Sequence, residues 1–231
     1  PIFPNSGMRF TASTDFAGLG GNTSFIKPQV EYAQFIQASP RTSIGFRTQV
    51  AYIRPYGSTT ALPITESLYL GGEYTIRGYD IRSVGERDTT TGLVLGGNKS
   101  LLLNAEYLIS IAGPVRLVLF YDTGQVRQIG QSFGLKEDIT EPFNPNQPII
   151  RDPFQTTVLE DPNAPGPIQR VIGTTSAFKT STGAEIRFFM PVLNVPFRLI
   201  FAFNPQRFGV LDNNFRPAKR FTFKFAVGST F

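Results

Sequence analysis

Cysteine, histidine and tryptophan are absent from this chain. Without thiols there is no disulfide framework and no thiolate chemistry; without imidazole there is no His-liganded metal and no Ser-His-Asp triad. Charge is scarce as well. Asp, Glu, Lys and Arg make up 17% of the 231 residues, below the roughly 25% of an ordinary soluble protein. No stretch reaches the roughly 18 to 20 consecutive apolar residues of a membrane helix. That leaves a transmembrane barrel open, because its apolar face is hidden in alternation. The opening "PIFPNSG" carries no signal-peptide pattern and reads as an interior cut of a longer protein.

What the chain does have is phenylalanine, 22 copies, within an aromatic content of 13%. Glycine (22) and proline (18) are abundant enough to make turns frequent and long helices unfavourable. The net charge of +5 and a pI near 9.6 would suit an anionic partner. The 22 basic residues are spread along the chain, however, and form no run resembling a nucleic-acid arm. A solvated or lumen-lining role for these charges is therefore favoured, and no nucleic acid partner is expected.

Read at period two, the chain resolves into eight candidate strands, each with an apolar and a mixed face. The last, "RFTFKFAVGSTF", is clearest: Phe221, Phe223, Phe225, Val227 and Phe231 share one face, and Thr222, Lys224, Ala226 and Gly228 the other. "VPFRLIFAFN" sets Phe197, Leu199, Phe201 and Phe203 against Arg198 and Asn204. "KTSTGAEIRFFM" opposes Ile186 and Phe188 to Glu185 and Arg187. "VRLVLFYDTG" sends Leu117, Leu119 and Tyr121 one way and Arg116, Phe120 and Asp122 the other, while "SLLLNAEYLISI" opposes Leu103 and Tyr107 to Asn104 and Glu106. "MRFTASTDF", "FIKPQVEYAQFIQ" and "TSIGFRTQVAYI" behave alike, with Arg9, Asp15, Lys27, Glu31 and Arg47 on their second faces.

A soluble sandwich also alternates. Two features favour a membrane barrel over it: unbroken apolar faces, and opposite faces carrying charges of both signs near strand centres. Connection lengths agree. "IQASPRT", "IAGPV" and "MPVLNVP" are short, whereas 56–98, 125–178 and 205–219 are long, the pattern of periplasmic turns and external loops. The loop 125–178, rich in Pro, Asn and Asp, reads as either a surface lid or an inserted segment.

Two motifs invite chemistry and support little of it. "YDTGQ" holds the Asp-Thr-Gly of aspartic proteases, but that chemistry needs a second carboxylate from a second copy or a twofold partner. No second Asp-Thr-Gly occurs. The glycines of "YLGGEYTIRGYD" lack the Gly-x-Gly-x-x-Gly spacing, and no helix pattern follows them, so nucleotide binding is a poor account.

Taken together, "YLGGEYTIRGYD", then "FYDTG", then the aromatic terminal strand "FKFAVGSTF" resemble the BamA-type branch of the outer-membrane assembly and secretion barrels. The resemblance implies an all-β fold: a transmembrane antiparallel up-and-down β-barrel, with these eight strands forming the C-terminal half of a sixteen-stranded barrel. It implies one outer-membrane barrel domain over residues 1–231, in the outer membrane of a Gram-negative-type bacterium. Ile76, Arg77, Gly78 and Tyr79 match the family's Val/Ile-Arg-Gly-Phe/Tyr loop motif, and Phe120, Asp122 and Gly124 its Phe-x-Asp-x-Gly motif. The family's loop arginine pairs with lumen-facing acids on the next two strands, which by position are Glu106 and Asp122. Alternation independently places both on the inward face. Phe221, Phe223, Phe225, Gly228 and Phe231 match the terminal strand that serves as recognition signal and gate.

The function so implied is insertion of client barrels by strand templating at a lateral gate, with no enzymatic chemistry, cofactor or metal. The alternative is a two-partner secretion transporter that exports a polypeptide through its pore. Implied partners are membrane lipid, unfolded outer-membrane client proteins, assembly-complex lipoproteins and upstream POTRA domains. Eight strands alone enclose only their own side chains. The expectation is therefore a fragment that pairs with further strands, self-associates, or forms an open sheet.

Overall fold

A computed structural model of the protein describes residues 5–18, 20, 23–60, 62–88, 91–143, 168–190 and 195–228. The chain forms β1 (Gly7–Ala17), β2 (Phe25–Ser39), β3 (Thr42–Tyr52), β4 (Arg54–Pro55), β5 (Glu86–Arg87), β6 (Val94–Gly96) and β7 (Lys99–Ala112). It continues with β8 (Val115–Arg127), β9 (Lys136–Phe143), β10 (Ile168–Ser176), β11 (Lys179–Met190), β12 (Val195–Phe203) and β13 (Phe221–Val227).

Eight of these strands pair in the order β1-β2-β3-β7-β8-β11-β12-β13, antiparallel throughout, and they are the eight segments marked by alternation. Alternation translates directly into two faces because side chains on a strand have period two. On β8, Arg116, Val118, Phe120 and Asp122 are buried while Leu119 and Tyr121 stay exposed. On β13 the outward row Phe221, Phe223 and Phe225 is more than half exposed. A continuous exposed apolar row of this kind is made for lipid. The tight turns lie at one end, between β2 and β3 and between β7 and β8, and the long connections at the other.

Among the described residues the sheet does not close. β1 and β13 are its margins and do not pair with each other, and nearly all of β1 is exposed on both faces. The inner face is occupied by the connection between β3 and β7. That segment leaves β4, is cross-bridged at Leu68–Gly97 and Leu70–Val84, and forms the small β5–β6 ladder. Its apolar residues Leu70, Ile76, Tyr79 and Val84 pack on Leu102 and Val126 of the sheet and on Val210 and Ala218 of the β12–β13 connection. Burying each of the larger side chains contributes about 1.5 to 3 kcal/mol. The core therefore lies between the loop and the inner face of the sheet.

The connection 125–178, read as a long loop that is either a surface lid or an inserted segment, contains regular structure. β8 runs on to Arg127, and β9 and β10 form a separate antiparallel hairpin with a register shift between Val171 and Gly173. The hairpin stem is tied to the sheet through Glu137, which accepts from Lys179 Nζ at 2.6 Å and from Arg127 Nη1 at 2.9 Å. Most of the Pro- and Asn-rich stretch, 144–167, lies outside the described residues.

Candidate functional site

Register decides which side chains can meet the loop tip. Asn104 stands opposite Asp122, Asp122 opposite Ser181, Glu106 opposite Phe120, and Val118 opposite Glu185. Directly paired residues share a face, so Glu106, Asp122 and Glu185 converge on the inner wall from three neighbouring strands. No pair of them is close in sequence.

Arg77 reaches this triplet from the loop and is fully buried. Its Nε and Nη2 donate to Asp122 Oδ2 and Oδ1 at 2.7 and 2.6 Å, a two-point fork. Its backbone N–H adds a third bond to Asp122 Oδ2 at 3.0 Å. Nη1 donates to Glu106 Oε1 at 2.6 Å and to Glu185 Oε2 at 3.0 Å. The guanidinium carbon lies 3.9 Å from the centre of the Phe120 ring, a cation–π contact.

Two further arginines balance the acids. Arg187 Nη2 donates to Glu106 Oε1 at 2.5 Å, and its Nε pairs with Glu185. Arg198 grips Glu185 through Nε and Nη2 at 2.7 and 2.9 Å. Three guanidiniums thus meet three carboxylates, and the cluster is neutral as a whole. Charges withdrawn from water need this, since an unpaired buried ion is strongly destabilising. Burial alone would lower the Arg77 pKa; Asp122, Glu106 and Glu185 outweigh it and hold it well above the ordinary value.

The residues flanking Arg77 complete the dock. Gly78 has φ of 92°, and a Cβ there would lie 2.5 Å from Asn204 Oδ1 and 2.7 Å from the Ala202 methyl. Only glycine suits that backbone in that space. The Gly78 carbonyl accepts from Asn204 Nδ2 at 3.1 Å and from the Thr222 hydroxyl at 2.9 Å. Tyr79 is buried, donates its hydroxyl to the Thr180 and Gln206 carbonyls at 3.1 Å each, and accepts from Lys224 at its own carbonyl. Burial pushes its phenol pKa up. Ile76 is fully buried and faces Gly124, where any Cβ would come within 2.7 Å of Leu101 O and the Leu70 side chain. The loop tip is therefore fastened to β7, β8, β11, β12 and β13 at once.

This arrangement is an electrostatic lock rather than an acid–base pair. Asp122, the acid of the Asp-Thr-Gly tripeptide, has both oxygens engaged by Arg77, and Asn104 Nδ2 adds a bond at 2.7 Å. It faces an arginine, not a second carboxylate sharing a proton.

Ile76, Arg77, Gly78, Tyr79, Glu106, Phe120, Asp122 and Gly124 are brought together. Phe221, Phe223 and Phe225 are not: they lie on the outward face of β13. Gly228 follows that strand with φ of 109° and still donates to Pro196 O at 2.8 Å. Phe231 lies outside the described residues. Glu185, Arg187, Arg198 and Asn104 join the cluster without having been named as partners of Arg77. Alternation had already turned all four inward, but only the register carries them to the loop.

An Omp85 superfamily domain model matches residues 1–231. BamA, the outer membrane protein assembly factor of Nitratidesulfovibrio vulgaris, is 33% identical over 125 residues, covering 52% of this chain and 16% of that protein. A SAM50-like protein of Drosophila melanogaster is 26% identical over 84 residues, 36% of this chain and 19% of its own. The crystal structure of Haemophilus ducreyi BamA lacking POTRA domains 1–3 superposes with a TM-score of 0.64 at 17% identity, covering 99% of this chain and 39% of that one. The chain thus spans well under half the length of these relatives. By the match of that domain model along its full length, it belongs to the Omp85 superfamily, as an outer-membrane β-barrel protein of the BamA type.

Proposed function

We propose that the protein assembles β-barrel proteins into the outer membrane, templating client strands on the free edge of β13 at a lateral gate. One observation carries this reading: among the described residues β13 pairs with β12 alone, and no other strand of this chain lies along its outer edge. Asn204 N donates to Arg220 O and Gly228 N to Pro196 O, which sets the parity of the β12–β13 ladder. Phe221, Phe223, Phe225 and Val227 are therefore the residues whose backbone groups turn away from β12. In a bilayer such groups demand partners, and an extended client strand supplies them by β-augmentation.

The role of the Arg77 cluster follows. By holding the loop tip beneath β12 and β13, the lock of Arg77 on Glu106, Asp122 and Glu185 stiffens the wall on which a client is built. Gly78, Tyr79, Phe120 and Gly124 make the close approach feasible. The names of the relatives, assembly factors among them, support the same reading. Lipoprotein partners and POTRA domains are proposed for the full-length protein on that basis.

The test is reconstitution of the full-length protein in liposomes with an unfolded outer-membrane barrel as client. A photo-cross-linker in place of Phe223 or Phe225 should capture client strands while insertion proceeds. Insertion at full rate with no adduct along β13 would refute strand templating here.

A further inference from the structure

The loop tip also touches the free edge of β13 itself. The Tyr74 hydroxyl donates to the Val227 carbonyl oxygen at 2.5 Å. The direction of that carbonyl can be worked out. Gly228 N–H points to Pro196 O on β12, and the 227–228 peptide is trans. In a trans peptide N–H and C=O point opposite ways, so Val227 O faces the open edge. Among the described residues it is the last edge acceptor in the row begun by Phe221, Phe223 and Phe225. The turn is shaped to admit the phenol: Gly228 has φ of 109°, and a Cβ there would stand 3.1 Å from Tyr74 Oη.

Tyr74 is itself held in place. Arg47 Nη1 donates to its carbonyl at 2.9 Å, and the Arg198 guanidinium lies 5.9 Å from its ring centre. Three residues further on, Arg77 enters the acid cluster. The phenol is thus delivered to the edge only while the loop is docked.

We propose that Tyr74 is a register stop on the β13 edge. Its hydroxyl occupies the acceptor that an added strand needs in order to pair beyond Phe225, so the docked loop fixes where such a strand ends. This rests on the reading of β13 as a templating edge. An incoming antiparallel strand bonds at every second residue, about 6.8 Å apart along the edge. It meets Phe221, Phe223 and Phe225 freely and finds Val227 O taken. With no strand present, the phenol stands in for the missing N–H, which keeps a backbone carbonyl from lying unsatisfied. Release of the loop returns the acceptor and lets pairing advance by one bonded pair. Tyr74 is in this sense a positioning residue that couples the Arg77 lock to the length of strand accepted at the edge.

The variant is Tyr74→Phe in the full-length protein, which removes the hydroxyl and keeps the ring and the carbonyl. The probe is a synthetic peptide copying Phe221–Phe231, offered to protein carrying a photo-cross-linker in place of Phe225 or, separately, Val227. Capture at 225 should be equal in the two backgrounds, and capture at 227 should rise about two- to tenfold in Tyr74→Phe, the range of one net hydrogen bond. An unchanged 227-to-225 ratio overturns the register stop. A second measurement needs no peptide: amide exchange across 226–228 should quicken about two- to tenfold in Tyr74→Phe, and equal rates also overturn it. If no peptide is captured in either background while exchange responds, strand templating fails and the Tyr74 contact with the edge stands.

Discussion

Removing the Arg77 side chain tests the lock most directly. Arg77→Ala deletes four side-chain hydrogen bonds to Asp122, Glu106 and Glu185 and leaves only the backbone bond to Asp122. The remaining cluster holds three carboxylates against Arg187 and Arg198, one negative charge in excess and sealed from water. Breaking a buried pair in this way costs about 3 to 5 kcal/mol. Since each 1.4 kcal/mol is a factor of ten, docking weakens between about a hundredfold and a few thousandfold. Amide exchange of residues 76–79 in the full-length protein reads this equilibrium, because those amides are protected only while the loop is docked. Their exchange should accelerate by at least two orders of magnitude. Exchange in β7 and β8 should change little, since the ladders bypass the loop. Arg77→Lys should fall between, because an ammonium replaces the planar fork by a single point charge. Unchanged protection at 76–79 in Arg77→Ala would refute the lock. Loss of the strand signal together with the loop would show instead that the cluster holds the sheet and not the loop.

Gly78→Ala should undock the loop without touching a charge. A left-handed non-glycine residue costs about 1 to 3 kcal/mol, and the added methyl meets Asn204, Ala202 and Ser181 within 3 Å; faster protease cleavage between residues 70 and 84 is the readout. Phe223→Lys places a charge in the outward apolar row. It should weaken folding into liposomes by about 2 to 4 kcal/mol if the residue sits at mid-bilayer, measured by denaturant titration of the full-length protein, whereas insensitivity would argue against a lipid-facing β13.

Much of the wall was legible because strand alternation is a local property. Phe221, Phe223 and Phe225 could be assigned outward, and Glu106, Asp122 and Glu185 inward, from their own neighbours alone. The loop motif pointed to Arg77 with Glu106 and Asp122 through family resemblance. Glu185 was not legible as a partner, for it is separated from Arg77 by 108 positions, and only the β8–β11 register, which sets it opposite Val118, brings it to the inner wall within reach of Arg77. The β9–β10 hairpin was missed for a different reason. Turn-forming residues dominate between its two arms and mask short strands whose pairing lies off the main sheet.

The chain's composition and period-two pattern determined by themselves that strands would form, which face meets lipid, and that charges of both signs would share a lumen. Those are consequences of backbone geometry and transfer free energy, both readable residue by residue. Tertiary structure alone decided that three carboxylates and three guanidiniums meet in one neutral cluster, and that Tyr74 reaches Val227. These depend on register and on the path of a loop through space, where distances are fixed by residues far apart in sequence.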